Sequence, residues 1–284
     1  MNRDDIQRGL ETHGLGEHAS ELLALAAPSI RLKSRRVEPA DLPIGASRLG
    51  GFPDIPEQFD WPADLAFIGQ VDLAEVAVAA GQTALPEAGW LYFFYDVDEQ
   101  PWGFDPAHAG GWRVVYGGSG TDLKRPALSD LPQGGTPFQL CGVDFMVDWT
   151  LPSSRSTVMR VFQDQFQSWW NQVRDGYYDL LGENGLGYAN HRLLGHPVQI
   201  QGDMQLECQL VSHGLYCGNP SGYSDPRARD LQSGATDWQL LLQVDTDDDL
   251  NAMWGDVGMI YYWIRRDDLR AQQFDSVWLI QQCF

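Results

Sequence analysis

The sequence is poor in cysteine, in basic residues and in long apolar runs, and each shortage removes a class of protein. Four cysteines, Cys141, Cys208, Cys217 and Cys283, stand in 284 residues without a Cys-x-x-Cys pair. That density is far below a disulfide-stapled scaffold, so free thiols in a reducing compartment are expected. Lys and Arg number 19 against 39 Asp and Glu, for a formal net charge of −20. A polyanion repels other polyanions, which argues against nucleic acid and anionic membrane surfaces as partners. The acid excess serves solubility, and it also offers a surface to a basic protein partner. No run approaches the ~20 apolar residues that a membrane helix needs. The opening Met1-Asn2-Arg3-Asp4-Asp5 lacks the apolar segment of a signal peptide, so a cytoplasmic protein is expected.

What is present is a large core and a rhyme. Hydrophobic residues make up 43% of the chain, with Trp 11, Tyr 10 and Phe 12, which points to an ordered globular protein. Residues 65–73 end an apolar run in Gln70-Val71-Asp72, and residues 240–245 end theirs in Gln243-Val244-Asp245. Each is followed, after a glycine, by an aromatic strand: Trp90 to Tyr95 after Gly89, and Met259 to Ile264 after Gly258. Two such units predict a duplicated β fold with a cleft between halves. Residues 3–27 carry apolar positions at helical spacing, broken at Gly14 and Gly16. Strands are expected over 30–37, 65–72, 90–96, 112–116, 138–147, 157–162, 204–210, 238–245, 257–264 and 277–283. A helix is expected over Asp164–Leu181 from Phe166, Trp169, Trp170, Val173 and Tyr177. Loops fill 38–64, 117–137, Gly182–Gly195 and 214–236. The expected class is α+β, mostly antiparallel β, with two related β halves and a helical N-terminal extension. Residues 1–40 form that extension with the first strand. Residues 41–284 form the main domain, with pseudo-repeats near 65–120 and 238–284.

Several segments together resemble one bacterial family. They are Ser47-Arg48-Leu49-Gly50-Gly51-Phe52-Pro53, Trp61-Pro62 and Phe67-Ile68-Gly69-Gln70-Val71-Asp72. Further on come Pro86 and Gly89, Gly195-His196-Pro197 with Gln201-Gly202, and Trp254-Gly255-Asp256-Val257-Gly258 with Tyr261 to Ile264. From about residue 45 onward the chain is similar to the YwqG-like family of unknown function. That resemblance implies an α+β domain, no established activity and no catalytic residues to carry over. It also implies a toxin-immunity role, because some relatives look like neighbours of polymorphic toxin genes.

Chemical motifs are sparse. Asp245, Asp247, Asp249 and Asp256 fall at positions 1, 3, 5 and 12 of a calcium loop, but Leu250 holds the place of its obligatory glycine. Asp247 to Asp249 are expected instead to cap a short helix running through Met253. Cys208, His213 and Cys217 are spaced C-x4-H-x3-C, which fits no standard zinc site, and Cys208 reads as core. Ser119 lacks the context of a nucleophile elbow, and His196 before Pro197 reads as a hydrogen-bonded structural histidine. No metal, cofactor or catalytic residue is assigned. Arg48, in a Pro/Gly loop, either clamps a carboxylate or pairs internally with Asp72 or Asp245. Two functions follow. The first is a non-enzymatic protein-binding module, its partner face formed by Asp247, Asp248, Asp249 and an exposed Trp102. The second is an enzyme or small-ligand binder with Arg48, Gln70, Asp72, Gln243, Asp245 and Asp256 around a polar cleft.

Overall fold

Ten strands of one antiparallel sheet carry the fold in the computed structural model, which describes residues 1–120, 122–127, 138–182 and 189–284. In chain order the elements begin with α1 (Arg3–Thr12), α2 (Ala19–Leu25), β1 (Ala27–Arg36), β2 (Arg48–Leu49) and β3 (Ala66–Asp72). Then come α3 (Leu73–Ala80), β4 (Trp90–Tyr95), β5 (Trp112–Gly117), β6 (Cys141–Thr150), α4 (Thr157–Gln165) and α5 (Gln167–Gly182). The last part holds β7 (Arg192–Leu193), α6 (Met204–Val211), α7 (Pro220–Ser224), α8 (Pro226–Leu231), β8 (Trp238–Asp245), β9 (Met259–Arg265), α9 (Arg266–Arg270) and β10 (Trp278–Gln282). The class is α+β. Most of the stretch expected to be irregular, 117–137, and residues 183–188 of the expected Gly-rich connection lie outside the described residues.

The spatial order is β10-β9-β8-β7-β1-β6-β2-β3-β4-β5. Its centre is the long β1–β6 ladder, from Ala27 opposite Thr150 to Arg36 opposite Cys141. The two edges approach each other. Trp112 Nε1 donates to the Val277 carbonyl at 2.9 Å, and the Trp112 and Trp278 rings meet edge-on at 4.9 Å. The sheet is thereby nearly closed into a barrel. Helices α1, α2, α4 and α5 pack a separate small core through Ile6, Leu10, Leu22, Met159, Phe162 and Tyr177. All four cysteines are buried free thiols. No helix among the described residues is long and apolar enough to cross a membrane.

The two Gln-Val-Asp strands stand in like positions, third from each edge of the sheet. β3 pairs with β4 so that Gln70 faces Tyr92 and Asp72 faces Trp90, with a register shift between Phe67 and Gly69. β8 pairs with β9 so that Gln243 faces Tyr261 and Asp245 faces Met259, with a register shift between Leu240 and Leu242. The inner neighbours are two-residue strands of the same sequence. Arg48-Leu49 faces Gln70 and Gly69, and Arg192-Leu193 faces Gln243 and Leu242.

Four local expectations are corrected. Residues 157–162 form α4 rather than a strand, because the Ser156 hydroxyl caps the Met159 N–H at 3.2 Å. Residues 204–210 form α6, with Asp203 accepting from the Gln205 and Leu206 N–H groups, and Cys208 is buried on a helix. The loop 214–236 contains α7 and α8, each opened by a proline and capped by Asn219 and Asp225. The acidic run starts no helix. It forms a turn closed by an Asp247–Ala252 bridge, with Asn251 in the left-handed region at φ 56°.

Candidate functional site

The sequence Arg-Leu-x-Gly-x-Pro occurs twice, at Arg48 to Pro53 and at Arg192 to Pro197, and both copies build the same hydrogen-bonded node. After each Arg-Leu pair the chain reverses through two successive left-handed residues. They are Gly50 (φ 61°) and Gly51 (φ 62°) in one copy, and Leu194 (φ 57°) and Gly195 (φ 70°) in the other. This conformation is cheap for glycine and costs about 1 kcal/mol or more for Leu194. The reversal returns the chain beneath the arginine, where a buried glutamine on the neighbouring strand receives it.

In the first node Gln70 donates to the Ala46 carbonyl (3.2 Å) and accepts from the Asp54 N–H (2.7 Å), while the Tyr92 hydroxyl donates to the Asp54 carbonyl (2.9 Å). In the second, Gln243 donates to the Asn190 carbonyl (2.5 Å) and accepts from the Val198 N–H (2.9 Å), while the Tyr261 hydroxyl donates to the Val198 carbonyl (2.6 Å). Each arginine donates through Nη1 to the carbonyl four residues on, Arg48 to Phe52 at 3.0 Å and Arg192 to His196 at 3.3 Å. The Asp72 N–H donates to Ser47 Oγ (2.8 Å), and the Asp245 N–H donates to His191 Nδ1 (3.1 Å). Ala46 and Asn190, Asp54 and Val198, and Ser47 and His191 each lie at the same offset from their arginine.

The nodes differ in charge. Arg48 is 1% exposed and pairs with Asp54, which is fully buried. Asp54 also accepts from Arg125 Nε (2.8 Å) and Nη2 (3.1 Å) and from the Gly45 N–H (2.7 Å). Arg48 donates further to the Ala46 carbonyl at 3.2 Å. All three nitrogens of this guanidinium are therefore engaged, and the space beside it is small, about 170 Å³. The expected internal partners Asp72 and Asp245 are not the ones used. Asp72 caps α3 through the Ala74 N–H (2.9 Å), and Asp245 accepts from the Asn190 N–H (2.8 Å). Burial raises the pKa of both carboxyls above the ordinary aspartate value.

At the second node the position of Asp54 is taken by Val198. Arg192 is only 5% exposed, and its Nε has no hydrogen-bond partner among the described residues. Burial and the neighbouring Arg31 pull its pKa down to about 10. Arg192 borders a cavity of about 430 Å³ between the central strands and α5. Arg31, the cross-strand neighbour of Arg192, and Arg155 line it too, against one acid among the described residues, Asp148. Asp148 is engaged by Arg31 (3.3 Å), the Trp149 N–H (3.0 Å) and the amino nitrogen of Met1. In a chain with twice as many acids as bases, this lining is a local positive island.

The expected cleft residues thus divide between two nodes. Arg48, Gln70 and Asp72 belong to the first; Gln243 and Asp245 belong to the second. β2 and β7 are three strand spacings apart, about 14 Å, so the two sets share no cleft. Asp256 joins neither: it is exposed, and its carbonyl accepts from the Phe284 N–H at 3.2 Å. Trp102 is half-buried rather than exposed, and its carbonyl accepts from the Gln281 N–H at 3.0 Å. In the acidic run, Asp247 accepts from Ser34 Oγ (2.8 Å) and from His191 Nε2–H (2.9 Å). Burial would raise its pKa, but these two hydrogen bonds outweigh it and hold the carboxyl well below the usual range. Asp248 and Asp249 are exposed, and their carbonyls accept from Arg36 at 2.6 and 3.0 Å. Among the described residues no group of three or more His, Cys, Asp or Glu is placed to hold a metal ion. Arg192, Val198, Asp54 and Arg125 were missed from sequence. The repeated Arg-Leu-x-Gly-x-Pro was the signal that could have found the first two.

A family model described as a domain of unknown function (DUF1963) matches residues 47–283, from the serine before Arg48 almost to the C-terminus. The chain belongs to that family. No curated protein matches it.

Proposed function

We propose that this YwqG-like chain is a binding protein for a small anionic ligand, and that its site is the cavity beside Arg192. The carrying observation is a nearly buried guanidinium with an unpaired Nε, bordering a cavity whose other ionic side chains among the described residues are Arg31, Arg155 and Asp148. Asp148 and Asp245 attract Arg192 from beyond ion-pair distance; a nearly buried charge without a contacting counter-ion is costly, and an anion entering from solvent offsets that cost. The matched register, left-handed turns and glutamine clamps support a second part of the reading, that the fold arose by duplication of one β unit. The first copy of the node is closed by its own carboxylate and the second is open.

The alternative, a basic protein docking on the acidic run, draws its support from exposed Asp248 and Asp249. It is the weaker reading because Asp247 is tied to Ser34 and His191, and Arg36 pairs with Asp249 at 3.3 Å. A thermal-shift series separates the two. Small anions at millimolar concentration should raise the unfolding midpoint of the wild type and leave Arg192→Gln unmoved. Absence of any anion response in the wild type, with capture of a basic protein abolished by Asp248→Asn/Asp249→Asn, would favour the acidic face.

A further inference from the structure

We infer that the anion taken at Arg192 is a carboxylate, bound in the place that the side chain of Asp54 holds at Arg48. This rests on the small-anion reading above and names the ligand class for that site. The two nodes match in register, turn and glutamine clamp, and they differ in the residue that faces the arginine. Residue six positions after the arginine is anchored identically in both: its N–H to the glutamine Oε1 and its carbonyl to the tyrosine hydroxyl. That residue is Asp54 in one node and Val198 in the other. In the first node the carboxylate accepts from two guanidinium groups, Arg48 and Arg125, and from a backbone N–H. The fold therefore displays a worked solution for holding a carboxylate against this arginine. Asp54 meets Arg48 at Nη2; in the second node the arginine is retained, its one hydrogen bond among the described residues uses Nη1, and Arg31, which also holds Asp148, brings a second guanidinium from the adjacent strand. The cavity is larger, about 430 Å³ against about 170 Å³, so a small molecule bearing the carboxylate has room above it. The half-exposed Val198, together with Pro197, Ile200 and Leu151, gives that molecule an apolar wall. A planar guanidinium fork matches a carboxylate in two parallel hydrogen bonds.

The test uses the full chain with acetate, succinate, inorganic phosphate and sulfate as probes. Binding is read by calorimetric titration and by the NMR signal of the Arg192 Nε–H in the wild type, which needs no variant. Acetate or succinate should bind and move that signal, and Arg192→Gln should weaken binding by about tenfold or more. Val198→Asp should supply the missing carboxylate from within. It should block succinate and, by pairing with Arg192, raise the unfolding midpoint; Val198→Ala should leave succinate binding in place. Binding of phosphate or sulfate at Arg192 with no response to carboxylates would overturn the carboxylate assignment and leave the small-anion reading standing. A silent Arg192 Nε–H signal with all four probes, or succinate binding unchanged in Arg192→Gln, would overturn both.

Discussion

Asp54 lies between two guanidinium groups, and removing its charge leaves Arg48 buried without a counter-ion. Breaking one side of a buried pair costs about 3–5 kcal/mol, so Asp54→Asn should lower unfolding free energy by that order in urea titration. Arg192→Gln removes a buried charge that has no carboxylate partner, and should change stability by less than about 1 kcal/mol or increase it. Arg48 and Arg192 stand in the same sequence motif, and the presence or absence of a paired carboxylate separates their contributions. A second pair of residues sets the pH dependence. His196 donates its Nε2–H to the Leu25 carbonyl at 2.8 Å, and burial pulls its pKa from 6.5 to about 4. Between those values the unfolded chain holds the extra proton, so this group lowers stability as pH falls. Burial, with the nearby Asp203, pushes Glu207 from 4.5 up to about 7. There the folded chain holds the extra proton, so this group lowers stability as pH rises. Over their shared window the two proton balances cancel, and stability should be flat in pH as far as they determine it. His196→Gln should expose a fall with rising pH, and Glu207→Gln a rise with rising pH, each up to about 1.4 kcal/mol per pH unit. Urea midpoints at three pH values across the window check both signs.

The left-handed turns that reverse the chain after each Arg-Leu pair are the elements on which the nodes depend. A Cβ on Gly50 would lie 2.2 Å from the Gln139 carbonyl oxygen, and one on Gly195 would lie 2.5 Å from Ser29 Cβ. Gly50→Ala and Gly195→Ala should therefore each cost more than about 2 kcal/mol, combining overlap with left-handed strain. Gly14→Ala, also at positive φ but at the end of α1 and with nothing within 4 Å, should cost only about 1 kcal/mol. Thermal unfolding of the three variants tests the ranking. The same turns explain what the sequence disclosed. The Gln-Val-Asp rhyme was legible because register, bulge and glutamine clamp all act on strands that keep their side-chain alternation. Arg48 was legible as an arginine in a Gly/Pro loop. Its partner was not, since Asp54 reaches it only through the Gly50–Gly51 reversal, and a chain reversal of that kind carries no periodic signal. Arg192 was hidden because its two-residue strand is too short to show a pattern. The misread helices have a common cause. Met204, Leu206, Cys208 and Leu210 alternate, yet the buried set of α6 also includes Gln205, Gln209 and Val211, and the caps Ser156 and Asp203 decided the issue.

At the scale of the whole molecule, 39 acids face 19 bases, and the resulting self-repulsion is a term that no single contact removes. Most ion pairs on the surface are too exposed to offset it. Arg35–Asp144, Arg113–Asp275 and Arg270–Asp267 have both side chains more than half exposed, and such pairs contribute about 0–1 kcal/mol. Salt should therefore stabilise the fold. Between about 0.01 and 0.1 M the screening length falls from about 30 to about 10 Å, which shields repulsion between distant acids more than attraction within close pairs. The unfolding midpoint should rise across that range; a fall would show that ion pairs outweigh repulsion. The acidic run gives the local form of the same test. Asp248→Asn/Asp249→Asn removes two exposed charges and should hold or raise the midpoint while flattening its dependence on salt. Asp247→Asn should instead lower it by about 1–3 kcal/mol of unfolding free energy, because a neutral amide is a poorer acceptor for His191 and Ser34 at a half-buried position. If all three substitutions behaved alike, the division of this run into one structural aspartate and two surface charges would be wrong.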